Sequence, residues 1–236
     1  MYRAGSLLLA ALLAGPALAL DVSPIRVALP AAATHADLWL DNTGPADWTG
    51  QARLYRWEQH GDQEQLQPAD DLLVSPRLLR IPARQGQRLR VVRPGPPPEG
   101  DQRGYRLILS PDPASASATR YSLPVFLEPA GASTPLSRLR ALPPQDPAAP
   151  VLRLYNDGPG HAHLADLAFI DAQGRRTLLI DGLAGYVLPH STRSWGLPPR
   201  RDGYAGGEFR ARLDHAAEAP LPLAGSEIAV RSMGGL

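Results

Sequence analysis

From residue 22 to residue 127 the chain runs in short segments. They alternate apolar with polar positions or are rich in β-formers, and Pro, Gly, Asn or Asp bounds each one. This pattern predicts strands over 22–29, 36–42, 51–59, 72–81, 87–93, 105–109 and 119–127. Seven strands at that spacing are what an immunoglobulin-like sandwich requires. No segment carries a sustained apolar stripe of helical period. A second series is predicted over 151–156, 163–170, 177–180, 185–188, 192–197, 208–213 and 224–230. Asn42-Thr43-Gly44-Pro45 in the first series is echoed by Asn156-Asp157-Gly158-Pro159 in the second, each after an apolar strand. The expected fold is all-β, with two immunoglobulin-like β-sandwich domains.

The ends and the middle of the chain complete the organisation. Residues 1–19 read as a signal peptide. Arg3 gives a positive start, an apolar run covers residues 6–13, and Ala17-Leu18-Ala19 fits the small-x-small cleavage rule. A soluble, exported protein starting at Leu20 is expected. Residues 20–130 form the expected first domain, 131–150 a proline-rich connector with Pro143, Pro144, Pro147 and Pro150, and 151–236 the second domain.

Composition then removes classes of chemistry. The chain has no cysteine, and all 24 of its basic residues are arginine. Thiol nucleophiles, thiolate zinc sites, Schiff-base lysines and P-loop lysines are therefore excluded. With 23 acidic residues against those 24, the charge as a whole is not organised for nucleic acid. No G-x-S-x-G, H-E-x-x-H or dinucleotide fingerprint occurs. His161-Ala162-His163 would set two imidazoles on one side of an extended strand, without a third ligand nearby. Asp70-Asp71 reads as a solvated turn. No enzyme activity, cofactor, metal or small-molecule substrate is expected.

Two features stand out against that background. Arg26, Arg90 and Arg106 each interrupt an otherwise apolar strand. They either lie on a wet sheet face or converge in a groove, where guanidinium groups fork onto a carboxylate. The second feature is the run from Thr119 to Pro129. Tyr121, Leu123, Val125 and Leu127 share one face, and Ser122, Pro124, Phe126 and Glu128 share the other. Pro124 lacks an N–H, which argues for an edge or a bulge. The run is either a last strand packing on its own core or an edge strand offered to a partner.

These residues resemble the PapD-like periplasmic pilus chaperones of chaperone–usher systems, most closely the archaic branch, which often accompanies spore-coat-U-type pilins. The resemblance is carried by Val22-Ser23-Pro24-Ile25-Arg26-Val27, Leu38-Trp39-Leu40-Asp41-Asn42, Gln51 to Trp57, Ser75-Pro76, Ile81-Pro82-Ala83, Gln87 to Val91, Tyr105-Arg106-Leu107 and Leu123 to Pro129. Looser echoes are Leu154 to Gly158 and Gly185 to Pro189. It implies two immunoglobulin-like sandwiches at an angle with a cleft between them, in a chaperone that binds pilus subunits by donor-strand complementation and delivers them to an outer-membrane usher. The implied donor strand comprises Thr119, Tyr121, Leu123, Val125 and Leu127. The implied carboxylate anchor is Arg26, at the place of the family's first-strand arginine. The family's anchoring lysine falls at Pro124, so Arg106 or Arg90 is the candidate second charge. Glu128 stands where an interdomain arginine is expected. The competing reading is an exported two-domain adhesion or binding module, which would share the sandwiches without needing an apolar edge strand.

Overall fold

The computed structural model describes residues 20–224, apart from 62, 114, 116, 117 and 132–135. The expected signal peptide, and all but the first residue of the strand expected over 224–230, lie outside the described residues. Ten strands build the first sandwich: β1 (Leu20–Ser23), β2 (Val27–Leu29), β3 (His35–Asn42), β4 (Trp48–His60), β5 (Gln63–Pro68), β6 (Leu73–Ser75), β7 (Leu78–Ile81), β8 (Gly86–Val92), β9 (Arg103–Pro111) and β10 (Tyr121–Leu127). One sheet has the order β1-β3-β8-β6 and the other β2-β10-β9-β4-β5, with β7 also pairing β4.

Two expected strands are each split by a proline, which has no N–H to continue a ladder. The run over 22–29 breaks at Pro24, so β1 pairs β3 in one sheet and β2 pairs β10 in the other. The run over 72–81 breaks at Pro76, so β6 joins β8 while β7 joins β4. Strand β5 went unexpected because its sequence QEQLQP is exposed throughout and has no buried face to create a period. It is formed by pairing back onto β4 after Gly61, at φ +52°. The sheets close over one core, in which Leu38, Leu40, Ile81, Leu89, Val91, Leu107, Leu109 and Val125 are completely or nearly completely buried.

Seven strands build the second sandwich: β11 (Leu139–Leu142), β12 (Val151–Asn156), β13 (Ala162–Ile170), β14 (Arg176–Val187), β15 (Thr192–Gly196), β16 (Glu208–Leu213) and β17 (Glu218–Pro220). Its sheets run β11-β12-β15 and β14-β13-β16-β17. Strand β11 lies within the stretch read as a connector. Leu139 and Ala141 point into the second core while Arg140 and Leu142 point out, so four residues of that stretch belong to the second domain. The two strands expected at 177–180 and 185–188 are one strand, β14, whose pairing to β13 shifts register three times.

The Asn-x-Gly-Pro echo has a structural cause. Asn42 donates through Nδ2 to the carbonyls of Ala46, Ile81 and Pro82, and its Oδ1 accepts from Gly44 N. Asn156 donates to Gly160, Val187 and Leu188 and accepts from Gly158 N and Arg138 N. Each asparagine is a sealed amide plug that satisfies the loop ends of its own sandwich.

Candidate functional site

The two sandwiches meet on the outer face of the β2-β10-β9-β4-β5 sheet. Core-facing and cleft-facing residues alternate along each strand. Leu107, Leu123 and Val125 point into the first core, and Arg106, Phe126 and Trp57 point toward the second domain. Trp57, Phe126, Tyr186 and Leu188 pack as a separate apolar cluster at the seam. Trp57 and Tyr186 meet edge to face at 5.8 Å between ring centroids. Gly104 lies against Leu188 in the same cluster, and a Cβ there would come 3.1 Å from Leu188 Cδ2.

Two glutamines fasten the seam. Gln59 Nε2 donates to the Tyr186 carbonyl at 3.0 Å, and its Oε1 accepts from Leu188 N at 2.9 Å. The side-chain amide thus acts as one rung of a ladder across the domain boundary. Gln102 N donates to the Pro159 carbonyl, while its Nε2 donates to Glu128 Oε1 at 2.9 Å. That donation orients the amide so that Oε1 faces His161, accepting from His161 N at 3.1 Å and from the ring Nδ1–H at 2.5 Å. The His161 ring stacks on Phe126 at 3.6 Å and 1°. Burial first, then the charge of Arg26, pushes this imidazole down to about 3, so it is neutral at ordinary pH.

Beside the aromatic cluster lies an open cavity of about 530 Å³, lined in part by Arg26, Phe126, Glu128, His161, Asp214 and His215. Arg26 is half-buried there and makes no hydrogen bond or salt bridge among the described residues. Its charge is nonetheless felt by Glu128, His161, His163 and Tyr186. Burial pushes the Glu128 carboxyl up from its ordinary value, against the opposing pull of Gln102 and Arg26.

Arg106 lies on the same sheet face. In the ladder it is opposite Pro124, and extending the β2–β10 register by one residue sets Arg26 opposite Pro124 on the other side. Arg26, Pro124 and Arg106 therefore form one row across three strands, so the two arginine Cα atoms are about 10 Å apart. The Arg106 guanidinium lies over the Trp57 ring at 3.7 Å. Tyr186 stands between the two cations: burial raises its hydroxyl pKa, and Arg26 and Arg106 act to lower it.

Arg90 does not join them. It projects from β8 on the outer face of the other sheet and grips Asp37 through two bonds of 2.6 and 2.8 Å. The sequence could not separate it from Arg26 and Arg106, because all three interrupt apolar strands and the distinguishing partner lies 53 residues away.

The last-strand residues divide likewise. Leu123 at 7% exposure, Val125 at 0% and Leu127 at 2% belong to the first core, with Tyr121 packed against it. Reading them as side chains held out to a partner is thereby corrected: the curvature of the sandwich closes over that face. Thr119, upstream of β10, is exposed. The edge of β10 is a different matter. Strand β2 covers it only from Val125 to Leu127, so from Tyr121 to Pro124 that edge has no strand partner among the described residues. Beside it, the Tyr121 hydroxyl accepts from Leu20 N at 3.0 Å, tying β10 to β1 of the opposite sheet. His161 and His163 both reach the seam but diverge, His163 stacking on His215 at 4.7 Å. Among the described residues no group of three or more His, Asp or Glu is arranged to hold a metal ion.

Residues 19–133 match the family model of the pili and flagellar-assembly chaperone, PapD N-terminal domain. No curated protein matches the chain in sequence. Among solved structures, the chain is similar to one from the chaperone–tip adhesion subunit pre-assembly complex (CsuC–CsuE) of the archaic chaperone–usher Csu pili of Acinetobacter baumannii. The identity is 22%, with 87% of this chain and 99% of that one covered at a TM-score of 0.69. The Escherichia coli chaperone DraB matches at 18% identity over 88% and 98% of the two chains, with a TM-score of 0.60. A chain of the Salmonella enterica SafA pilin–SafB chaperone complex matches at 20% identity over 88% and 97%, with a TM-score of 0.58. At these identities the structural matches establish the fold, two immunoglobulin-like domains. The family match makes the first sandwich of this chain a member of the PapD N-terminal domain family of pilus and flagellar-assembly chaperones.

Proposed function

We propose that this chain is an exported periplasmic chaperone, cleaved after Ala19, that binds pilus subunits by strand addition to β10 and hands them to an outer-membrane usher. The observation that carries the reading is the uncommitted Arg26 guanidinium at the end of the open β10 edge. Strand β2 runs parallel to β10 and begins opposite Val125. A partner strand lying along Tyr121–Pro124 occupies the line that β2 would take if it were longer. Running in the direction of β2, it arrives at Arg26 with its C-terminal carboxylate. Backbone pairing supplies affinity, and the guanidinium fixes register.

The work is physical, with no bond made or broken. A subunit that lacks a strand exposes unpaired edges and an apolar groove, both aggregation hazards. Pairing with β10 satisfies those edges. Leu123, Val125 and Leu127 face inward, so the open backbone edge is what this strand offers over Tyr121–Pro124. Side chains that fill a groove come from the segment that includes Thr119.

The test is periplasmic co-expression with candidate pilins, followed by affinity recovery of the complex. Arg26→Ala removes a charge-assisted bond of about 1.5–3 kcal/mol, a loss of roughly 10- to 100-fold in affinity. The free protein should keep its melting temperature, because Arg26 makes no hydrogen bond or salt bridge among the described residues. Full recovery of pilin by Arg26→Ala would defeat the reading.

A further inference from the structure

The second cationic position of the cleft already holds a carboxylate, and it comes from the chain itself. Glu64 on β5 stands opposite Gln59 in the ladder with β4, so its side chain rises on the cleft face. Its two oxygens meet arginines from different sandwiches. Oε2 lies 4.0 Å from Arg106 Nη2, and Oε1 makes a short contact with Arg193 Nη1 on β15. Gly185, at φ +142°, leaves room for that second arginine, since a Cβ there would lie 3.1 Å from Arg193 Cζ. Arg26 has no such counterion within salt-bridge distance among the described residues. Of the two guanidinium groups of the row, Arg106 alone has a carboxylate of the chain within salt-bridge distance among the described residues.

We infer that Glu64 is a resident carboxylate that competes with the partner's chain end for Arg106 and thereby confines that chain end to Arg26. The inference rests on the proposed carboxylate anchor and adds a residue that selects between its two cations. Its electrostatics are local. Arg106 feels Glu64, Arg193 and Tyr186 from the elements packed on it, and burial lowers its pKa ahead of any of these. An incoming anion gains little at Arg106 while Glu64 remains in place.

The test uses acetate as the probe, titrated against chloride at constant ionic strength into the full-length mature protein. Binding is read from the arginine Nε–Hε resonances of Arg26 and Arg106. In the wild type, acetate should perturb Arg26 at lower concentration than Arg106. In Glu64→Gln the acetate affinity at Arg106 should rise about two- to fivefold, the scale of a partly exposed ion pair, with Arg26 unchanged. Arg193→Gln leaves Glu64 to Arg106 alone, so affinity there should stay low or fall. An equal rise in Arg193→Gln would mean that a loosened seam is the cause, and it would overturn the inference. An Arg106 resonance that responds identically with and without Glu64 would overturn it too. If Arg26 itself is silent, the anchor reading fails and this inference goes with it.

Discussion

Leu123 decides between two uses of β10. It pairs across the sheet with Leu107 of β9, and at 7% exposure it belongs to the first core. Truncation to alanine removes three carbon atoms from that core. Core Leu→Ala changes cost about 2–5 kcal/mol, depending on how far the surroundings can collapse. Leu123 lies where β10 has a free edge, which allows some collapse, so the lower part of that range, about 2–3 kcal/mol, applies. For two coupled sandwiches of roughly 200 residues each kcal/mol moves the midpoint by about 2–4 °C, so Tm should fall by roughly 4–12 °C. Thermal unfolding of the purified free protein, followed by circular dichroism, measures this directly. Pilin capture assayed well below the lowered midpoint should be nearly retained, because the backbone edge is unchanged. Leu123→Arg should not fold, since the guanidinium would enter the core unpaired. A Leu123→Ala protein melting within about 2 °C of the wild type would refute this reasoning and return the side chain to the partner's side.

Gln59→Leu should leave the Tyr186 carbonyl and the Leu188 N–H buried without partners, splitting the calorimetric transition into two as the sandwiches uncouple; one unchanged transition would contradict the ladder role of Gln59. Glu128 has a folded pKa raised by burial, so the folded state holds a proton that the unfolded state releases first. Stability is then lost as pH rises from the ordinary carboxylate range through the raised value, and Glu128→Gln should raise Tm at pH 7 while changing little at pH 4. His161 has the opposite sign: its folded pKa of about 3 lies below its ordinary 6.5, so stability falls as pH drops through that interval, and its ring protons should show no titration between pH 5 and 8 by NMR.

The strand periodicity made the first sandwich legible because most of its strands have one face in a core and one in water. Strand β5 was hidden for the converse reason, having no buried face at all. The connector reading of 131–150 rested on prolines, and it missed that Leu139 and Ala141 alternate toward the second core just before those prolines begin. Pro24 and Pro76 stood inside runs read as single strands, and only the three-dimensional pairing reveals that the chain breaks and changes sheets at each. Arg26 and Arg106 could be singled out as charges inside apolar runs. Gln59, Gln102 and Glu64 could not, because a polar residue near a strand end looks like any solvated one until the other domain is brought against it. Their partners Leu188, His161 and Arg193 lie 59 to 129 residues away.

These commitments leave β10 little freedom. One face packs the first core, the other carries Phe126 into the seam, and one edge is fully paired to β9. Over Tyr121–Pro124 the remaining edge is backbone, and backbone pairing is nearly blind to sequence. Under the proposed strand addition, discrimination among partners is left largely to the groups around the end of that edge. Those are Arg26 and Glu128 from the first domain, with His161, Asp214 and His215 from the second. The second sandwich, which offers no strand in the proposed addition, thus supplies three of these five residues. Exchanging it for that of a related chaperone should change which subunits are retained while leaving strand addition to β10 intact. A chimera that kept the original subunit preference would locate discrimination upstream of β10 instead, in the segment containing Thr119.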